Sequence, residues 1–244
     1  MISARVDHEV AYGKLQVQMA GGKLWYWETP AGKKRWTRRV RMLTSHITQD
    51  MEVLEIGCGP GYFTQEIAKT KAKITAIDIS PDFLDIARQR VPSTNTRFKL
   101  ENAYDLSFVD NTFHSIVGSS VLHHLEIDQA LQEFYRVLKP GGNIYFTEPN
   151  MLNPHVFLMM KVPVIRKLSC IAPDETAFIK WILKKKLLKA GFKGIRVTPF
   201  DFLHPLTPRI MIPMIEKTGL FVERIPFLRE ISGSLYIEAK KIQS

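Results

Sequence analysis

The chain lacks most of the features that mark a secreted, membrane-spanning or fibrous protein. It has two cysteines in 244 residues, too few for a disulfide framework. No apolar run is long enough to cross a bilayer, and the opening Met-Ile-Ser-Ala-Arg-Val-Asp has no signal-peptide core. The expectation is a cytoplasmic protein with reduced thiols. Internal repeats and low-complexity tracts are absent too. What remains is enough chain for one large core and a cap, but not for a second independent domain. We read residues 1–244 as a single domain.

Acidic residues are scarce towards both ends. The net charge is +10, made of +5 in residues 1–50, −4 in 51–150 and +9 in 151–244. Such segregation suits flanks that face an anionic partner, a phosphorylated metabolite or a membrane surface. The plainer alternative is that acidic residues crowd the central stretch.

That central stretch carries the chemistry. Val53-Leu-Glu55-Ile-Gly57-Cys58-Gly59-Pro-Gly61 reads as a buried strand running into a glycine-rich turn, with Gly61 opening a helix. A second apolar run ends at Asp78, where a carboxylate can accept from both hydroxyls of a ribose. The pair implies an adenosine-type cofactor at the carboxyl ends of parallel strands. A dinucleotide turn needs a small residue at the position of Tyr62, so a pyrophosphate is disfavoured.

The glycine spacing after Glu55 resembles motif I of the class I S-adenosylmethionine-dependent methyltransferases, and further segments match in order. Glu-Asn102-Ala103-Tyr-Asp resembles the stretch that holds the adenine; Asn102 stands where the family usually has Asp. Phe113-His114-Ser-Ile-Val-Gly-Ser119-Ser-Val-Leu-His123-His124 resembles the fourth strand and its exit, with His114 again replacing Asp. A helix over 127–138, stopped by Pro140-Gly141-Gly142, leads to a fifth strand ending at Glu148. The resemblance covers roughly residues 50–150 and is nearest the methyltransferase-11 group that includes quinone-biosynthesis enzymes. It implies S-adenosyl-L-methionine held by Glu55, Gly57, Cys58, Gly59 and Gly61 in the turn, Asp78 and Ile79 after the second strand, Asn102 and Ala103 at the adenine, and Ser119 at the strand-four exit. No metal is implied.

The fold expected is α/β: a Rossmann-like doubly wound sheet with strands near 52–57, 73–78, 96–100, 114–119 and 143–148 and helices between. Residues 174–191 read as a helix with acidic residues at its start and glycine at its end. Strands from Gly194 and Ser234 would complete seven, the final one antiparallel as in the family. Residues 1–45, 149–173 and 201–233 fall outside this scheme and are too apolar for disorder. They are expected to form a cap, with Phe157, Met160, Phe202 and Met211 lining an acceptor pocket.

Methyl transfer from a sulfonium needs alignment, exclusion of water and a nucleophile freed of its proton. His123, His124 and Glu148 are the candidates for a base, each set against a plainer capping or packing role; His204 is a further one. Cys58 reads as a small turn residue and Cys170 has no nucleophile motif, which disfavours methylation of a pyrimidine ring carbon. The strand-four exit lacks the Asn-Pro-Pro-Tyr that grips a flipped base. The expected activity is therefore O- or C-methylation of a small hydrophobic or anionic metabolite. The alternatives are an RNA methyltransferase using the basic flanks and a non-catalytic binding module, the latter opposed by the intact turn and Asp78.

Overall fold

The computed structural model describes residues 5–11, 13–14, 26–168 and 175–242. Expectations placed on Cys170, Asp174, residues 169–173 and the rest of 1–45 lie outside them. Seven strands, β1 (Glu52–Ile56), β2 (Lys73–Asp78), β3 (Thr96–Leu100), β4 (Phe113–Ser119), β5 (Leu138–Pro149), β6 (Lys193–Phe200) and β7 (Ser234–Lys240), form one sheet in the order β3-β2-β1-β4-β5-β7-β6. The pairs from β3 to β5 are parallel, and β7 runs antiparallel between β5 and β6. The chain leaves β1 for β2 on one side and returns to β4 on the other. The carboxyl ends of β1 and β4 therefore diverge into a crevice.

Local chemistry explains the helices. Helix α1 (Pro30–Thr44) starts behind Thr29, whose hydroxyl accepts from Gly32 N, and α2 (Tyr62–Ala68) follows the glycine turn. In α3 (Pro81–Arg90) the Ser80 hydroxyl accepts from Phe83 N, proline takes the first turn, and Arg88 and Arg90 close the last. Helix α4 (Ile127–Val137) buries Ile127, Ala130, Leu131, Phe134 and Val137 at helical spacing, and Phe134 stacks on Phe146 of β5 with centroids 5.8 Å apart. Truncating Phe134 should cost about 3–5 kcal/mol.

Two sequence expectations change. Pro140-Gly141-Gly142 does not separate helix from strand: α4 ends at Val137 and β5 starts at Leu138, running through the glycines with a register shift against β4. The helix expected over 174–191 is α7 (Lys180–Lys189), with no side-chain cap at its start. The residues before it are held in extended form, Phe178 N donating to Pro149 O and Met151 N to Phe178 O. Accordingly Leu183 and Leu187 turn inward, whereas Ile182 is exposed.

The insertions form α5 (Pro154–Lys161), α6 (Pro163–Leu168) and α8 (Ile212–Val222). They meet where Asn153 Nδ2 donates to Ile231 O at 2.8 Å and the His155 and His204 rings meet edge-on. Residues 201–223 are tied to α1 by charge. Asp201 pairs with Arg35 and Arg39 (both 2.8 Å), Glu223 takes Arg38 through two bonds (2.7 and 2.5 Å), and Lys34 reaches Glu216 (3.2 Å). These cations lie at 34, 35, 38 and 39, one face of a helix.

Candidate active site

A cavity opens at the carboxyl ends of β1, β2 and β4, where the sheet topology places it. Gly57, Cys58 and Gly59 form one wall. Cys58 N donates to Ile77 O and Gly61 N to Cys58 O, folding the turn back over the sheet. Gly57 has φ +61°, and a Cβ there would meet Val121 Cγ2 at 2.4 Å. Gly59 has φ +51°, and a Cβ there would meet nothing within 4 Å. Glycine thus leaves that volume to a ligand, so the turn fits a cofactor laid across it.

Asp78 and Ile79 line the next wall. Asp78 Oδ2 accepts from Gly59 N (2.7 Å) and Oδ1 from Ser80 N (2.9 Å), so the carboxylate fixes the glycine turn as well as facing the cavity. Burial raises its pKa above the usual carboxylate range, opposed by the Ser80, Gly59 and Ile79 backbone N–H groups. Asn102 and Ala103 continue the lining. Asn102 Oδ1 accepts from Tyr104 N at 3.1 Å in an Asx turn, with a second lone pair left. Ser119 lies at the strand-four exit, its hydroxyl bonded to that of Thr147.

Gly61, Glu55, Glu148 and His123 do not line the cavity. Gly61 caps α2 with φ +81°, and a Cβ there would press on Ala87 at 3.1 Å, so helix packing demands glycine. Glu55 is buried beneath the turn with Oε2 unpartnered; burial pushes its carboxyl up to about 8, the Thr64 hydroxyl opposing and Asp78 adding to it. Glu148 Oε1 accepts from Val121 N and Leu122 N, and Oε2 takes the His123 ring at 2.7 Å. His123 and Glu148 thus brace the strand-four exit from behind.

His124 does line the cavity. Its Nδ1 lies 3.1 Å from Glu9 Oε1 and 3.9 Å from Glu175 Oε1, and its ring lies 4.1 Å from that of His123. Burial would lower its pKa, but Glu9, Glu175 and Glu148 together raise it above the ordinary histidine value. His123, His124 and Glu175 offer ligand atoms mutually within 4.8 Å, close enough to hold a cation. Each imidazole already has its own carboxylate partner, so the group is satisfied as hydrogen-bonded pairs.

The remaining wall comes largely from residues within 1–45, a stretch expected to join the cap, although none of its side chains was singled out. Arg5, Val6, Glu9 and Gly13 of the amino-terminal helical residues close one side, and Trp27, Tyr62, Phe63 and Phe83 supply aromatic surface. None of Phe157, Met160, Phe202 and Met211 is among the lining residues. Met160 packs with Met151 and Ala177, Phe202 sits against Gly219, and Phe157 and Met211 are exposed. His204 is likewise remote, accepting from Leu206 N in its own loop. Glu9 carried no motif; only its place one helical turn after Arg5 hinted at a wall.

A glycine turn under a switch-point cavity, with an acidic residue closing the second strand, defines a nucleoside-binding enzyme of the class I methyltransferase kind. Residues 54–146 match the methyltransferase-domain family. The chain is 33% identical over 195 residues to a demethylmenaquinone methyltransferase of Chlorobaculum parvum, covering 72% of this chain and 78% of that one. It is 29% identical over 179 residues to an uncharacterized methyltransferase-like protein of Schizosaccharomyces pombe, covering 71% and 66%. Among solved structures, the N-methyltransferase NodS of Bradyrhizobium japonicum bound to S-adenosyl-L-homocysteine aligns with TM-score 0.65 at 18% identity, over 96% of this chain and all of that one. The methyltransferase held by the Trm112 activator of Haloferax volcanii gives 0.65 at 18%, over 100% and 99%. The chain belongs to the S-adenosylmethionine-dependent methyltransferases.

Proposed function

We propose that the protein methylates oxygen or acidic carbon on a small, largely apolar acceptor, and that His124 is the base. The cofactor supplies an electrophilic methyl group when bound. Gly57, Cys58 and Gly59 would hold its amino-acid end, Asp78 and Ile79 the ribose, and Asn102 and Ala103 the adenine, with Ser119 beside them. Glu55 and Gly61 act on the turn from behind. Trp27, Phe63 and Tyr62 exclude water, which matters because a solvated nucleophile reacts poorly. His124 accepts the acceptor's proton and Glu9 stabilises the imidazolium that forms. Glu148 and His123 hold the exit turn in place.

The observation that carries this reading is one imidazole on the cavity wall, backed by a carboxylate from a different segment. The comparison with a demethylmenaquinone methyltransferase supports a quinol-like or phenolic ring as the acceptor class. Of the basic flanks, we assign the carboxyl-terminal one to an anionic contact. The test measures S-adenosylhomocysteine release with a panel of apolar phenols, quinols and bulk RNA. Turnover on the ring compounds, reduced at least about 100-fold in His124→Ala, is expected. Turnover on RNA alone, or an unimpaired His124→Ala variant, refutes the proposal.

A further inference from the structure

Helix α8 carries its charge in an unusual arrangement. Its one acid, Glu216, and Glu223 just after it point at α1 and are paired with Lys34 and Arg38. The opposite face, starting in the turn before the helix and ending just after it, presents Ile210, Met214, Lys217, Phe221 and Arg224 at spacings of four, three, four and three. All five are exposed; Ile210 is 89% and Phe221 64% accessible. Neither Lys217 nor Arg224 has an acidic partner among the described residues. A face turned to water is ordinarily polar; this one alternates large apolar groups with free cations.

The surroundings extend the pattern. Twelve of the nineteen large apolar side chains exposed among the described residues fall in 149–168 and 201–233, about a fifth of the chain, so the exposure is concentrated there. Phe227, 88% accessible, lies in the turn after α8, five residues past Val222. Residues 149–168 contain the exposed Lys161 and Lys167 and no acidic residue, Arg166 being turned onto Met160 O and Glu175 O, and they expose Phe157, Leu158 and Val164. The two insertions are joined through Asn153 and Ile231, as described above.

We infer that this face docks on the surface of an anionic lipid bilayer. The apolar side chains enter the boundary between headgroups and acyl chains, and Lys217 and Arg224 meet lipid phosphates. No described helix is long and apolar enough to cross a membrane, so the contact is one of lying on the surface. A second copy of the chain fits less well, because a two-fold contact would set Lys217 and Arg224 against themselves. The inference concerns location and stands apart from the identity of the acceptor.

The test is flotation of the full chain with phosphatidylcholine vesicles, with or without about a third phosphatidylglycerol, at 0.1 M salt. Cofactor binding by calorimetry reports on folding of each variant. Binding is expected to the anionic vesicles and to fall as salt rises. The double variant Lys217→Glu/Arg224→Glu should lose at least about 25-fold in partitioning, at roughly fivefold per cation. Met214→Ser/Phe221→Ser should weaken it too, while Lys71→Glu, in the turn before β2, should not. Absence of vesicle binding, equal losses in all three variants, or concentration-dependent self-association abolished by the same substitutions would overturn the inference.

Discussion

Replacing Asp78 with alanine tests the site where its parts meet. The carboxylate holds Gly59 N at 2.7 Å and Ser80 N at 2.9 Å while facing the cavity. A hydrogen bond to a charged group contributes about 1.5–3 kcal/mol. Losing the ribose bonds outright and loosening the turn should together cost cofactor binding about 2–4 kcal/mol, or about 30- to 700-fold in Kd. Calorimetric titration with S-adenosylmethionine at pH 7.5 reads this directly, and circular dichroism at the same pH checks the fold. Asp78→Asn should fall between, since one amide oxygen replaces two acceptors. The acidic limb follows from the raised pKa: protonation removes acceptors, so affinity should fall at a higher pH than an ordinary aspartate would give. An Asp78→Ala protein that is folded and binds within threefold of the parent would refute the assignment of this wall.

Glu9→Gln removes a partner that raises the pKa of His124, so the acidic limb of the pH–rate profile should move to lower pH; an unmoved limb would show that His124 is not the titrating base. Glu55 has a folded pKa pushed up to about 8 from an ordinary 4.5. Its neutral form therefore contributes stability that is full below about 4.5 and lost as pH rises towards 8, and Glu55→Gln should gain up to about 3 kcal/mol over the parent at pH 7 in denaturant melts. Gly59→Val should abolish cofactor binding with only about 1–3 kcal/mol of backbone strain, because its side chain would enter open cavity, whereas Gly57→Ala should mainly lower Tm by pressing on Val121.

The inner strands of the parallel half of the sheet were legible because they are largely buried and read as short apolar runs between turn signals, unlike the exposed edge strand β3. Ile74 to Ile77 is such a run, and β2 occupies the predicted residues. The glycine turn was legible for a local reason, since φ and close approach act on the residues that carry the motif. Tertiary hydrogen bonding was not legible. Phe178 fits a helical apolar pattern, but pairing with Pro149 and Met151 claims its backbone first, and α7 starts later. Periodicity also cannot tell whether an apolar insertion covers a cavity or a helix. Phe202 and Met160 looked like pocket residues by type, and their neighbours are Gly219 and Met151 instead.

The charge pattern shows the same division between what a sequence states and what folding decides. Both basic flanks look alike in composition, yet they meet different fates. Lys34, Arg35, Arg38 and Arg39 of α1 are consumed by Glu216, Asp201 and Glu223 of the insertion. Arg39 is 4% exposed, and burial lowers its pKa to about 10 despite Asp201 beside it. Removing one partner of so buried a pair costs about 3–5 kcal/mol, so Arg39 and Arg35 serve structure, while the more exposed Lys34 and Arg38 are already paired with acids of the insertion. By drawing the insertion's acids inward, they leave Lys217 and Arg224 alone on the outer face of α8. The same helix reaches the cavity wall: the Arg39 guanidinium lies 5.6 Å from the Trp27 ring centroid and donates to Ser234 Oγ, and Trp27 meets Phe63 edge-on at 6.0 Å. Helix α1 thus stands between α8, which carries the outward apolar-basic face, and the aromatic wall of the cavity, packed against both.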